Sequence, residues 1–192
     1  MTNENKETFT EICKALEHFE TPLWAAEKIL EHEIMTNFVL DPCCGIGILA
    51  EVAKKHKYQV ASLDIKDWGY KYQTVTGDFL SAEMPFDKDF TVFMNPPFSK
   101  ACEFVEKSFV LGARKIICFQ RFAWWESGGR KEFWDKYPPN RIYICADRAS
   151  CWRHDIPLVE RSSGSPTAHA WFVWEKGNPA GTVLGHIRSD KK

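Results

Sequence analysis

The sequence predicts an α/β fold built on an open, mostly parallel sheet, and three observations lead there. Apolar runs of strand length (37–40, 58–63, 90–94 and 115–120) alternate with segments of helical periodicity (48–56 and 100–111). A turn with glycines at 45 and 47 joins the first of these strands to a helix, the place where such folds receive a ligand. Asn95-Pro96-Pro97-Phe98 follows the run at 90–94, so that strand must hand its chain to an extended turn. Proline lacks an N–H and pushes the preceding residue out of the helical region. Asn95 is therefore expected at a strand's carboxyl end, the edge where open α/β sheets bind ligands.

Taken in order, residues 8–19 place Phe9, Ile12, Leu16 and Phe19 at helical spacing and predict an amphipathic helix. Thr21-Pro22 reads as an N-cap and first turn for a second helix over 23–32. The strand at 37–40 enters Asp41-Pro42-Cys43-Cys44-Gly45-Ile46-Gly47 and then the helix at 48–56. The second strand, 58–63, ends at Asp64, where a carboxylate can accept from both ribose hydroxyls of a nucleoside cofactor. A third strand over 73–76 precedes Gly77-Asp78-Phe79, and 81–89 is too short and polar for a full helix. After the helix at 100–111, capped near Gly112, and the strand at 115–120, a short helix over 132–137 ends at Pro138-Pro139. Strands follow at 141–146 and 168–174, a basic loop fills 147–164 between them, and an edge strand is expected at 182–187.

Composition narrows the class. The chain has 192 residues, 44% of them hydrophobic, which suits a single domain with a sizeable core and not a disordered chain. No apolar run reaches membrane-spanning length and the first ten residues are polar, so neither anchor nor signal peptide is expected. Seven cysteines without repeated spacing fit reduced thiols and a cytoplasmic location better than a disulfide framework. Cys151 and His154 have no second pair at ligand spacing, and no metal is expected. Net charge is −1, but residues 1–99 hold nine Lys/Arg against sixteen Asp/Glu and residues 100–192 hold sixteen against ten. A basic second half points to a polyanion.

Chemistry gives Asn95 a task. An exocyclic amine on adenine or on a carboxamide is a poor nucleophile because its lone pair is delocalised. Two acceptors, the Asn95 side-chain oxygen and the Pro96 carbonyl, can favour a pyramidal nitrogen over the flat ground state and so lower a methyl-transfer barrier. Phe98 offers a planar substrate a stacking face. Gly45-x-Gly47-x-x-Ala50 also loosely fits the dinucleotide fingerprint. Against that dehydrogenase reading, Asp41 would repel a pyrophosphate but suits an ammonium, and Asn95–Phe98 would have no task. Arg121, Trp124, Arg130, Arg148, Trp152 and Arg153 lie on predicted loops (121–135 and 147–166), where Arg and Trp can bind phosphate and stack bases, or a lid can pack its own tryptophans.

Together Phe19-Glu20-Thr21-Pro22, Asp41-Pro42-x-x-Gly45-x-Gly47, Asp64, Asp78 and Asn95-Pro96-Pro97-Phe98 resemble the class I S-adenosylmethionine-dependent methyltransferases. Their order resembles the gamma arrangement of the adenine-N6 DNA methyltransferases, and the compact ending is similar to small phage and prophage proteins of that kind. The resemblance spans roughly residues 19–120. It implies a Rossmann-like fold, with a mostly parallel central sheet, an antiparallel last strand and helices on both faces. It implies S-adenosylmethionine as cofactor, with Gly45 and Gly47 under its methionine part and Asp41 near its amino group. Thr21 would bind the carboxylate end, Asp64 the ribose, Ile65 the adenine pocket, Asp78 the adenine amine with Phe79 beside the ring. Asn95 and Pro96 would orient the target amine, Pro97 completing the motif, and Phe98 would stack on the target base. Transfer would be direct, without a covalent enzyme intermediate or a metal. No separate target-recognition domain is present, and the interval between Asp78 and Asn95 is short for the usual helix. Nucleic-acid adenine, DNA before RNA, is the expected substrate. The alternatives are a protein glutamine, whose enzymes carry Tyr where Phe98 stands, and a cofactor-binding partner subunit without activity.

Overall fold

In a computed structural model, residues 3–84, 87–126, 128–161, 167–178 and 181–190 are described, with the side chains of 3–7 left aside. The elements in chain order are α1 (Asn3–Ala15), β1 (Phe19–Glu20), α2 (Leu23–Ile29), β2 (Phe38–Asp41), α3 (Ile48–Lys55), β3 (Gln59–Asp64) and β4 (Val75–Thr76). They continue with β5 (Phe90–Met94), α4 (Ala101–Val110), β6 (Lys115–Arg121), α5 (Lys131–Lys136), β7 (Arg141–Cys145), β8 (Trp152–Arg153), β9 (His169–Glu175) and β10 (Val183–Ile187).

Eight strands form one sheet in the order β10-β7-β9-β6-β5-β2-β3-β4. All neighbours are parallel except β9, which runs antiparallel between β6 and β7, so the expected antiparallel strand is an insertion, while β10, last in the chain, is parallel to β7 at one edge and β4 forms the other. The buried strands obey the period of two. Val92 and Met94 face one core with Ile116, Cys118 and Phe172, while Phe93 faces the other with Ile117, Phe119 and Trp171. Helices cover both faces. Ala101, Phe104 and Val105 of α4 and Phe133 of α5 close the first core, and Ala25, Ala26 and Ile29 of α2 with Leu49, Val52 and Ala53 of α3 close the second. Strands buried on both faces read as unbroken apolar runs, which is why they were visible in the sequence.

Three expectations need correction. The first helix stops at Ala15, and Phe19 is not helical: Phe19 and Glu20 pair antiparallel with Arg153 and Trp152. Thr21 is not an N-cap, because the helix begins after Pro22, which holds the cap position with no side-chain bond. The segment 147–164 is not all loop, since it carries β8 and a short turn at Leu158–Glu160; residues 162–166, and Ser127 in the other candidate loop, lie outside the described residues. Residues 81–84 and 87–89 form no helix, and 85–86 lie outside the described residues.

Candidate functional site

The carboxyl ends of β2, β3 and β5 open on one cavity of about 380 Å³, a size that holds a cofactor. Of the predicted residues, Thr21, Asp41, Gly45, Asp64 and Ile65 line it, as do Asp78, Phe79, Asn95 and Pro97. The chain end of α1, residues 15–18, forms another wall.

The glycine turn owes its shape to two different neighbours. Gly45 has φ +52°, and a β-carbon there would lie 2.7 Å from Nε2 of His18. Its N–H donates to Oδ2 of Asp64 at 2.8 Å, joining the turn to the end of β3. Gly47, at φ +88°, does not line the cavity: a β-carbon there would fall 2.3 Å from ring carbons of Tyr70. The expected place of Gly47 under a cofactor is thus corrected. It makes room for Tyr70, whose hydroxyl donates to Glu51 and accepts from Lys54 on α3.

Two carboxylates stand side by side at the ends of β2 and β3. Asp41 is buried; burial lifts its carboxyl well above the usual carboxylate range, and the neighbouring Asp64 lifts it further against a weak bond from the Cys43 N–H. Its Oδ2 is buried without a hydrogen-bond partner among the described residues. Asp64 is also raised by burial, although its oxygens take the N–H of Gly45, that of Lys66 at 3.1 Å and the Trp68 indole at 2.9 Å. Asp64 therefore braces the glycine turn from within, and three protein donors already take part of its acceptor capacity at the cavity wall. Asp78 accepts from the Leu80 N–H at 3.0 Å, Phe79 is buried and Ile65 is exposed at the rim.

At the end of β5 the Asn95 amide nitrogen donates to the Phe19 carbonyl at 2.9 Å. That bond fixes the amide's orientation. Gln120, buried near the end of β6, donates to the Pro96 carbonyl at 3.1 Å, so one of that carbonyl's two lone pairs is already used. Phe98 is not a bare platform either: Phe19 stacks on it with centroids 5.1 Å apart, and the Arg121 guanidinium lies 4.3 Å from its centroid.

A strap holds this corner. The β1–β8 pair is extended by a bond from the His154 N–H to the His18 carbonyl, and the Cys151 thiol donates to the Glu20 carbonyl. The Glu20 carboxylate meets Arg161 at 2.7 Å and His154 at 2.6 Å. Burial pushes the Cys151 thiol up to about 12, so it is a packed thiol and not a nucleophile. Sequence reasoning missed His18, Glu20 and Gln120. A single Gln closing an apolar strand was a signal that could have been followed; His18 gave none.

The remaining candidates are dispersed. Trp124 is buried among Phe133, Trp134 and Phe172, which removes it from the substrate loops: this segment packs its own tryptophans. Arg130 leans on the Trp124 carbonyl, Arg153 is paired with Asp155, Trp152 is half-buried in β8 and Arg148 is exposed at φ +53°. No group of three or more His, Cys, Asp and Glu among the described residues is placed to hold a metal ion, and no helix among them is long and apolar enough to cross a membrane.

Two histidines beside the site are held neutral. Burial lowers His18 to about 4, helped by the charge of His154, and burial with the nearby Arg121 lowers His169 to about 4. Both folded values lie below the unfolded value near 6.5, so the unfolded chain takes up protons first as pH falls. Their stabilisation is complete above pH 6.5 and is lost between 6.5 and 4. The expected loss is on the order of 2–3 kcal/mol per histidine at 1.36 kcal/mol per pH unit. Calorimetric melting across that window checks it: the H18N/H169N double variant should flatten the slope, and an unchanged slope would refute it.

No protein-family model and no curated protein matches the sequence. Among solved structures, the chain is similar to the 23S rRNA methyltransferase ErmE (15% identity, 84% of this chain and 71% of that one, TM-score 0.55). It is similar as well to a TehB-like SAM-dependent methyltransferase from Corynebacterium glutamicum (12% identity, 91% and 100%, TM-score 0.53). A third is a dimethyladenosine transferase from Plasmodium falciparum (12% identity, 77% of this chain and 59% of that one, TM-score 0.51). The sheet order, the antiparallel β9 and these likenesses give the chain the Rossmann-like fold of the class I methyltransferases.

Proposed function

We propose that this protein is an S-adenosylmethionine-dependent methyltransferase acting on the exocyclic N6 amine of adenine in nucleic acid, with DNA preferred to RNA. The observation that carries this reading is the Asn95 amide, tied by its nitrogen to Phe19 and opening on the same cavity as Asp41 and Gly45. The cavity suits the cofactor on two counts. Asp41 Oδ2 is a buried acceptor that no hydrogen bond satisfies among the described residues, which an ammonium would satisfy while restoring the charge of the carboxylate. Gly45 lets the turn lie close against His18 at the cavity wall, where a β-carbon would meet that ring.

S-adenosylmethionine would supply an electrophilic methyl group on its sulfonium. Asp41 would hold the ammonium and Thr21 the carboxylate end, Asp64 a ribose hydroxyl, Asp78 the adenine amine, and Ile65 and Phe79 the ring. Asn95 would accept one N–H of the target amine through its oxygen. The Pro96 carbonyl, held still by Gln120, keeps one lone pair for the second N–H. Both acceptors bind a pyramidal nitrogen better than a planar one, the differential binding that accelerates the reaction. A target in duplex DNA would have to leave the stack to reach them. Phe98 as fourth residue and the basic second half favour nucleic acid over a glutamine side chain.

RNA adenine is the second reading, favoured by the likeness to an rRNA methyltransferase and a dimethyladenosine transferase. Labelled S-adenosylmethionine offered with double-stranded DNA, single-stranded DNA, RNA and a glutamine peptide decides between them. N6-methyladenine in digested DNA is the expected product. Label in RNA alone selects the second reading, and label in the peptide, or none anywhere despite cofactor binding, overturns both.

A further inference from the structure

The ring meant for the target base is covered by a cation. Arg121 closes β6, one residue beyond the Gln120 that holds the Pro96 carbonyl, and its guanidinium lies 4.3 Å from the Phe98 centroid. Arg121 is exposed and forms no ion pair with a carboxylate among the described residues. Its described neighbours include the Phe98 ring beneath it and His169 opposite it in the β6–β9 ladder. A guanidinium held in water by an aromatic face alone is held weakly. A phosphate offers the same group two charge-assisted hydrogen bonds in matched geometry.

We propose that Arg121 is a specificity residue that couples phosphate binding to base stacking. In the free protein it covers Phe98. A backbone phosphate beside the target draws it away, and the ring then receives the base. A free nucleoside brings a purine but no phosphodiester, so it must displace the guanidinium unaided. The site thereby favours adenine in a polynucleotide chain over adenine or adenosine in solution. This rests on the nucleic-acid reading above and adds the reason a mononucleoside is refused.

The test compares the parent, R121A and R121K on an oligonucleotide and on adenosine at several salt concentrations. Adenosine is read both as substrate and as competitive inhibitor, so that binding without transfer still counts. For R121A, KM for the oligonucleotide should rise with little change in kcat, and the log–log salt slope should shrink by about 1. Adenosine should gain roughly two- to fivefold relative to the oligonucleotide, the size of an exposed cation–π contact. R121K, which meets phosphate as a point charge but stacks less well, should fall between. An unchanged salt slope with an unchanged substrate ratio would overturn the proposal, as would an equal loss of kcat on both substrates. If the parent methylates no nucleic acid, the function proposed above fails and this inference goes with it. If the parent is active and only the ratio stays fixed, Arg121 alone has been misread.

Discussion

Replacing Asn95 with alanine is expected to lower kcat by ~10²–10³-fold, the usual loss when one preorganised polar group facing the reacting atoms is removed. Cofactor affinity should stay within about twofold, because the groups proposed to hold it follow β1, β2, β3 and β4, and loss of one contact at the end of β5 carries little coupling. Asn95→Asp separates two roles of the amide. It keeps an acceptor oxygen but loses the N–H that reaches the Phe19 carbonyl, and it turns a charge toward that carbonyl. Its kcat should therefore lie near that of the alanine variant. Single-turnover transfer measured beside calorimetric cofactor titration checks both variants. Equal activity of Asn95→Asp and the parent would mean that the Phe19 bond does not orient the amide. Retained activity in Asn95→Ala would remove the motif from the chemistry altogether.

The parts of this protein that were legible in its sequence are those held by local pattern. Residues 90–94 and 115–120 are apolar because both faces of β5 and β6 are covered, and an unbroken apolar run bounded by a turn is readable without the structure. Asn-Pro-Pro marks its own strand end through proline's backbone restrictions. What stayed hidden depends on partners far along the chain. Phe19 looks like the end of a helix until Arg153 pairs with it, and a two-residue strand has no periodicity to read. Gly45 and Gly47 look equivalent, yet one is fixed by His18 and the cavity and the other by Tyr70. Trp124 reads as a loop aromatic because the residues that bury it, Phe133, Trp134 and Phe172, come from a short helix and a later strand. The same distance hid the state of Phe98: its type announced a stacking face, but only the fold brings Arg121 and Phe19 onto it.

Glu33 is the extreme case of a residue hidden in this way, and Glu33→Ala should be the most destabilising single change outside the site. It lies just past α2, where the sequence marks no role for it, and it is only 3% exposed. Lys115 at the start of β6 lies 2.9 Å from it, and Arg141 at the start of β7 grips it with two nitrogens, one at 2.8 Å. The Tyr143 hydroxyl donates to it at 3.0 Å. Glu175 completes the set, 2.7 Å from Arg141 and 3.2 Å from Lys115. Removing Glu33 leaves two cations at the sheet's amino-terminal end with one half-exposed carboxylate between them, a loss of ~3–5 kcal/mol for a broken buried pair. Glu33→Gln retains an acceptor for one of the donors and should lose less. Burial raises the Glu33 carboxyl, but the Arg141 and Lys115 hydrogen bonds outweigh it and hold the group below the usual range. A depressed folded value means that its stabilisation is present above pH 4.5 and is lost as pH falls through the folded value, starting at the acid end of the histidines' window. Denaturant melts of the parent and both variants at neutral pH and near pH 3 check this: the gap between parent and Glu33→Ala should narrow in acid. Because β6 and β7 begin at the end of the sheet away from the cavity, cofactor affinity measured well below the melting temperature should be unchanged in both variants. A variant that lost binding while still folded would place Glu33 in communication with the site and would contradict its reading as a clamp on the sheet alone.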